Sequence, residues 1–182
     1  MQLIQASFAA SALLAVSRAV SLGLGEPSAP SLSYLLTAMV ECKPFVFTTQ
    51  TPRGLRTTIP IIGGNFTGPR LKGNILDIGA DWALIDPQTG ILSADSRYNL
   101  QTDDGANILI QTSGPTQPDG STHLRLMFET GDKKYYWLNN IVAVGILSVE
   151  ELREDGSSLL KIHAWNIESA YNSTTFYNGT TY

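Results

Sequence analysis

Charged and aromatic side chains are interspersed with glycines in the segment from Gly54 to Asn139, and a binding site can be built from this mixture. The aromatic rings would form the apolar walls of a pocket, and the guanidinium groups would orient a polar ligand. The candidate ligand-binding residues are Arg56, Trp82, Arg97, Tyr98 and Trp137. A carboxylate in an apolar pocket is held nearer to its neutral form, which suits general acid or base catalysis. The candidate catalytic residues are Glu129 and Asp81.

The same residues also have a purely structural explanation. The sequence Asp103-Asp104-Gly105 is typical of a hairpin turn, and we favour that interpretation for both aspartates. Arg97 would then pair with an acidic neighbour, and Trp82 and Trp137 would fill the core. Charged residues within strands seldom face inward without a partner or a ligand. Both explanations therefore stay open for three residues: Arg56, Arg97 and Glu129.

Other chemistries lack the residues that they need. The 182-residue chain has 12 Lys and Arg against 16 Asp and Glu, a net charge of −4 and no basic run, which excludes a nucleic-acid-binding protein. His123 and His163 have neither the spacing nor the carboxylate neighbours of a metal site. The single cysteine, Cys42, excludes an internal disulfide and is expected to be a small buried apolar residue. We therefore expect no metal, no cofactor and no nucleic-acid partner.

Short apolar segments separated by turn sequences predict an all-β domain. Glycines in sequences such as Asp86–Gly90 supply the positive φ angles that hairpins need. Strands with no helix to cover the sheet are best accommodated by closing the sheet on itself, so we predict a single antiparallel β-barrel of about eight strands. A β-sandwich is the alternative. The only helical signal is the capping-box spacing in Ser148–Glu154. The predicted strands are Leu32–Glu41, Arg56–Ile62, Leu71–Ile78, Ala94–Leu100, Asn107–Gln111, Leu124–Glu129, Trp137–Leu147 and Ser158–Trp165.

A series of short motifs in a fixed order makes the chain resemble a known family, the uncharacterised bacterial and fungal β-barrel proteins of domain of unknown function 3237. The resemblance extends roughly from Tyr34 to Trp165 and implies a compact antiparallel barrel with no settled activity. The leader described next would make this chain a fungal-type secreted member. The motifs are Gly54-Leu-Arg56, Gly63–Gly73, Gly79–Trp82, Asp95–Tyr98, Thr102–Ala106, Phe128–Thr130 and Tyr135–Asn139.

The first residues of the chain are typical of a secretory signal. The run Ala6–Val16 is apolar and uncharged, and Ser17-Arg18-Ala19 offers a small-x-small cleavage site. Since a membrane span needs about 20 apolar residues, this run is too short for one, although an N-terminal anchor is the alternative. We therefore divide the chain into a signal peptide at residues 1–19, a flexible spacer at 20–31, a β-barrel domain at 32–168 and a polar, disordered tail at 169–182.

Three hypotheses for function follow from these features. The leading one is a secreted barrel that binds a small, partly apolar organic molecule. The second is a cofactor-free isomerase, cyclase or lyase, in which Glu129 or Asp81 transfers a proton and Arg56 or Arg97 stabilises developing negative charge. The third is a wall-associated or interaction protein without a ligand. The first two require a pocket, so a cavity shared by Arg97, Tyr98 and Glu129 would favour them over the third.

Secretion would also make the three Asn-x-Ser/Thr triplets candidate glycosylation sites. Their asparagines are Asn65, Asn172 and Asn178. We predict that the mature chain begins near Val20, carries N-linked sugar in the tail and has no membrane association once the signal is removed. N-terminal sequencing and glycosidase digestion of the protein purified from its own host would check this. Soluble, sugar-free protein that still carries Met1 would contradict it.

Overall fold

The computed structural model describes residues 28–169 as an almost purely β structure. The predicted signal peptide, most of the spacer, and Asn172 and Asn178 lie outside these residues. The described part contains no helix that is long and apolar enough to cross a membrane. Its elements are β1 (Ser31–Cys42), β2 (Phe47–Thr51), β3 (Gly54–Thr67), β4 (Lys72–Ile85), β5 (Leu92–Thr102), β6 (Asn107–Pro115), β7 (Thr122–Glu129), a 3-10 helix (Tyr136–Asn140), β8 (Ala143–Leu152) and β9 (Ser158–Glu168).

Eight of the nine strands form a closed antiparallel barrel, which confirms the predicted fold. The hydrogen-bonded order is β1-β9-β8-β7-β6-β5-β4-β3, and β1 pairs with β3 to complete the circle. On the edge that does not pair with β4, the 14-residue strand β3 pairs with two different strands. Its first half, from Gly54 to Thr58, pairs with β2, whereas its second half, from Ile61 to Thr67, pairs with β1. The strand β2 therefore lies outside the closed circle.

A β-bulge in β3 allows this change of partner. The register of β3 shifts between Pro60 and Gly64, and both Gly63 and Gly64 have positive φ angles. A Cβ atom at Gly64 would collide with the main chain of Met39 on β1. Glycine is thus required where the two closing strands approach most closely.

Alternation along the strands separates a packed interior from an outer face. On β7, Leu124, Leu126 and Phe128 are buried, while the residues between them are exposed, as the sequence predicts. The interior contains large, fully buried side chains such as Phe66, and the short 3-10 helix inserts Leu138 beside them.

Three elements differ from the sequence prediction. The strand β2 was not predicted, because four of its five residues are Thr or Gln and it has no alternating apolar face. The segment Trp137–Leu147 is not one strand: the 3-10 helix occupies its start, and the Asn139 side chain bonds to the backbone N–H and C=O of Thr130. The turn or two of helix that the capping-box spacing allows over Ser148–Glu154 does not form, because β8 continues to Leu152 through pairing with β9. Tertiary pairing overrides a local capping signal here.

The interior packing predicts an unequal effect of two truncations. Replacing the buried Phe66 by Ala should lower the free energy of unfolding by about 3–5 kcal/mol, since it removes apolar burial and leaves a cavity. Replacing the exposed Met127 by Ala should change it by less than about 0.5 kcal/mol. Urea unfolding followed by circular dichroism measures both values. Equal losses would contradict the inside-outside assignment.

Candidate functional site

Asp81 belongs to a small polar cluster on the inner side of the barrel. It lies on β4 between Ile59 of β3 and Ser96 of β5, which are its paired neighbours in the sheet. The backbone N–H of Asp95 donates to the Asp81 carboxylate at 2.7 Å, and the Ser96 side chain also hydrogen-bonds to it. Asp81 retains some solvent exposure, whereas Ser96 is buried. Most of the Asp81 side chain is therefore removed from water.

Burial dominates the electrostatics of this cluster. Desolvation raises the pKa of Asp81 above its ordinary value of 3.8, and the two hydrogen bonds to the carboxylate only partly oppose the shift. Burial, followed by the charge of Asp81, raises the pKa of the Cys42 thiol to about 12. Burial together with the charges of Cys42 and Asp81 likewise raises the pKa of the Tyr98 phenol. The three groups thus face a common interior in which a negative charge on Asp81 is disfavoured.

Two hydroxyl groups in this interior have no hydrogen-bond partner. They are the Tyr98 phenol and the Thr57 side chain, and both are completely buried. Tyr98 is on β5, two residues after Ser96, and Thr57 is on β3, two residues before Ile59, so both alternate onto the face of Asp81. A buried polar atom without a partner is uncommon in proteins and marks a place where a water or ligand atom can bind.

Arg56, Trp82 and Arg97 lie instead on the outer face, grouped around Asp95. Arg56 Nη1 donates to the Trp82 carbonyl oxygen and lies 3.3 Å from Asp95 Oδ2. Arg97 Nη1 lies 3.2 Å from Asp95 Oδ1, and the Trp82 side chain is 42% exposed. Asp95 contacts groups on both faces of the sheet. Its carboxylate pairs with Arg56 and Arg97 on the outer face, and its backbone N–H donates to Asp81 on the inner face.

Glu129 and Trp137 lie away from both groups. Glu129 is the last residue of β7, exposed on the outer face and paired in register with Leu109. Trp137 is on the 3-10 helix, packed partly against the core, with the Arg70 guanidinium carbon 3.7 Å from its ring centroid. Neither side chain contributes to the Asp81 cluster.

The aspartates of the Asp103–Gly105 sequence form the expected turn between β5 and β6. Gly105 has a φ of 89°, and the backbone N–H of Asp103 donates to the Lys72 carbonyl oxygen. Asp104 accepts hydrogen bonds from the Lys134 ammonium, the Thr102 hydroxyl and the Tyr135 hydroxyl, which hold its pKa well below the usual range. These hydrogen bonds connect the turn between β5 and β6 to the residues that follow β7.

The candidate site residues predicted from the sequence thus lie on different faces of the sheet. Asp81 and Tyr98 share the interior, whereas Arg97 and Glu129 are both exposed on the outer face, so no cavity is shared by Arg97, Tyr98 and Glu129. Sequence reasoning missed the part of the interior cluster made by Thr57, Ser96 and Cys42. Period-2 alternation within the motif Asp95–Tyr98 was the available signal, because it places Ser96 and Tyr98 together and Arg97 opposite.

Comparison with known proteins gives matches that run along the barrel. A family model described as a protein of unknown function (DUF3237) matches residues 30–167. The chain is 31% identical over 119 residues to a protein named hydroalkoxylation enzyme phnH from Penicillium herquei, covering 65% of this chain and 75% of that protein. A crystal structure of a β-barrel-like protein from Acinetobacter baumannii AYE has 33% identity and a TM-score of 0.68, covering 79% of this chain and 99% of the other. A crystal structure of an enzyme from Penicillium herquei has 29% identity and a TM-score of 0.63, covering 79% and 98%.

The raised pKa of Asp81 predicts how replacing this carboxyl group changes the free energy of unfolding at different pH values. Above the folded-state pKa the ionised, buried carboxylate costs stability, and this cost disappears as the pH falls through that pKa toward the ordinary value of 3.8. Asp81→Asn keeps an oxygen that accepts the Asp95 N–H but carries no charge. The variant should therefore be more stable than the wild type at pH 7, and the difference should shrink on acidification.

Asp86→Asn is the matched control with the opposite sign. Hydrogen bonds from Gln88 and Thr89 lower the pKa of the exposed Asp86, so its contribution to stability is present above its ordinary pKa and is lost as the pH falls through the lowered value. This variant should be less stable than the wild type at pH 7. Thermal unfolding between pH 3 and pH 8 tests the pair, and a loss of stability in both at pH 7 would refute the assignment for Asp81.

Proposed function

This chain belongs to the DUF3237 family of proteins of unknown function, and from that premise we propose that it binds a small, partly apolar organic molecule beside Asp81 and moves a proton to or from it without a cofactor. The observation that carries the proposal is the half-buried Asp81 carboxylate, whose pKa burial raises, facing two buried hydroxyl groups that lack partners. A carboxyl group whose pKa is raised toward the working pH is better suited to donate a proton and take one back.

The relative named a hydroalkoxylation enzyme supports this class of reaction. Hydroalkoxylation adds an O–H group across a carbon–carbon double bond: the O–H and π bonds break, and one C–O and one C–H bond form. The addition needs no oxidant or reductant, so positioned acid and base groups can catalyse it. We assign the proton-transfer role to Asp81, which protonates the alkene carbon, while its conjugate carboxylate accepts the hydroxyl proton as the C–O bond forms.

The surroundings of Asp81 provide the positioning groups for this step. The Asp95 N–H fixes one carboxylate oxygen of Asp81. The Tyr98 and Thr57 hydroxyls can hydrogen-bond to the hydroxyl of a substrate, and apolar neighbours such as Ile59 and Ala83 would contact its hydrocarbon part. Arg56 and Arg97 serve a supporting role from the outer face, since they hold the Asp95 carboxylate.

Binding without turnover is the second candidate function. It is favoured by the same two unpartnered hydroxyls, because a bound molecule could satisfy them whether or not a reaction follows.

We further propose that the protein is secreted and glycosylated, on the basis of its leader-like first residues. The Asn65 side chain is exposed on β3, which would leave it accessible to a glycan. Asn172 and Asn178 remain candidates from the sequence.

The catalytic proposal is tested with ortho-allylphenol, which carries a hydroxyl and an alkene in one molecule, in buffered D₂O. The expected product is an isomeric cyclic ether with one carbon-bound deuterium, detected by mass spectrometry and NMR. Asp81→Asn should lower kcat by about 10²–10⁴-fold, the usual contribution of general acid–base catalysis. Exposed Glu129→Gln, which lies away from the Asp81 cluster, should retain kcat within about twofold.

Binding of the same phenol, measured by equilibrium dialysis, separates the two candidates. Retained binding with no turnover in the wild type would support the non-catalytic function and refute the enzymatic one for this substrate class. Equal kcat in the wild type and Asp81→Asn would refute the role of Asp81. No binding and no turnover would refute both functions for alkenyl phenols.

A further inference from the structure

An apolar groove of about 550 Å³ lies on the outer face of the barrel, across β7, β8 and β9. Outward-facing Val144 and Ile146 of β8 form part of its floor, and Trp165 of β9 pairs with Val144 and forms one wall. Leu32, at the start of β1, borders the groove and is 55% exposed. Interior packing does not explain these side chains, because the residues that alternate with them fill the barrel. A concave, mostly apolar lining with a few polar groups is typical of a small-molecule site.

Arg125 adds a positive charge to the wall of this groove. It lies on β7, paired in register with Val144, and forms no salt bridge with any carboxylate of residues 28–169. His123 also lines the groove, but it faces the nearby charge of Asp119, whose pKa it helps to lower. The guanidinium group of Arg125 is thus available to pair with an anionic group of a ligand in the groove.

We propose that this groove binds a small, flat aromatic anion. The ring would stack on Trp165 over the floor made by Val144 and Ile146, and its carboxylate, sulfonate or phenolate group would pair with Arg125. The volume is within the range of small-molecule sites, and charge complementarity selects an anion rather than a neutral molecule. The groove is on the outer face of β7, β8 and β9, whereas Asp81 faces inward from β4, so the groove does not depend on the proposed catalytic function.

The test uses two naphthalene probes of similar shape on the full-length protein. Anilinonaphthalene sulfonate is an anion, and N-phenylnaphthylamine is its neutral counterpart. We expect one site for the anion, monitored by fluorescence titration, and about tenfold weaker binding in Arg125→Met, which corresponds to about 1.4 kcal/mol. Arg125→Lys should retain most of the affinity. Arg97→Met is the matched control, because it removes an exposed arginine on another part of the outer face.

Two further measurements locate the probe. The neutral probe should bind Arg125→Met as it binds the wild type, whereas Val144→Asp should lose both probes while keeping its unfolding midpoint. Loss of anion binding in Asp81→Asn but not in Arg125→Met would overturn the proposal, because it would place the probe in the interior. Equal weakening in Arg125→Met and Arg97→Met would overturn it as well, since it would show an unspecific charge effect.

Other occupants of the groove give distinct results, each of which would refute the proposal. If a second copy covers it, sedimentation velocity will show a dimer that the probe dissociates. If residues 170–182 of the same chain cover it, Phe176→Ser will strengthen probe binding at least tenfold. A monomer whose probe affinity is unchanged by Phe176→Ser supports a small-molecule site.

Discussion

Pairing of β1 with β3 is the constraint on which the rest of the barrel depends. Without it the sheet would have two long free edges and an exposed apolar face. The pairing is possible because β3 turns from β2 to β1 at a bulge, where Gly64 approaches the Met39 main chain too closely for any side chain. Ile61 and Phe66 are five residues apart and both buried, so the bulge also changes which alternate residues face inward.

Closure gives each strand an inner and an outer face with different electrostatics. Outside, water screens the Arg56–Asp95–Arg97 group, and such exposed pairs contribute little, roughly 0–1 kcal/mol each. Inside, the Asp81 carboxylate is short of water, and the charge of Arg56 opposes this only weakly, so the pKa of Asp81 is raised. The sheet thus separates a solvated ion cluster around Asp95 from the mostly buried carboxyl group of Asp81.

The interior polar cluster makes the folded state less stable than a purely apolar core would make it. An unpartnered hydroxyl group that is buried costs about 1–3 kcal/mol, and the interior contains two. A barrel needed only as a scaffold could place Phe or Val where Tyr98 and Thr57 lie. The presence of these groups around Asp81 is the physical argument for a function inside the barrel, whereas the outer groove is an apolar surface on β7, β8 and β9, which do not adjoin β4.

The sequence by itself determined the strand content, most of the turns and the family likeness, because these depend on local alternation and on glycine conformations. Alternation along a strand also implies that the neighbours Arg97 and Tyr98 lie on opposite faces, which argues against the shared cavity considered from the sequence. Only the tertiary structure decided that Tyr98 faces inward, that Asp81 meets it and Cys42 there, and that Glu129 lies apart from them. These facts depend on which strands become neighbours and on where bulges shift the register. Neither is fixed by local residue types, because the pairing energy comes from segments far apart in the chain.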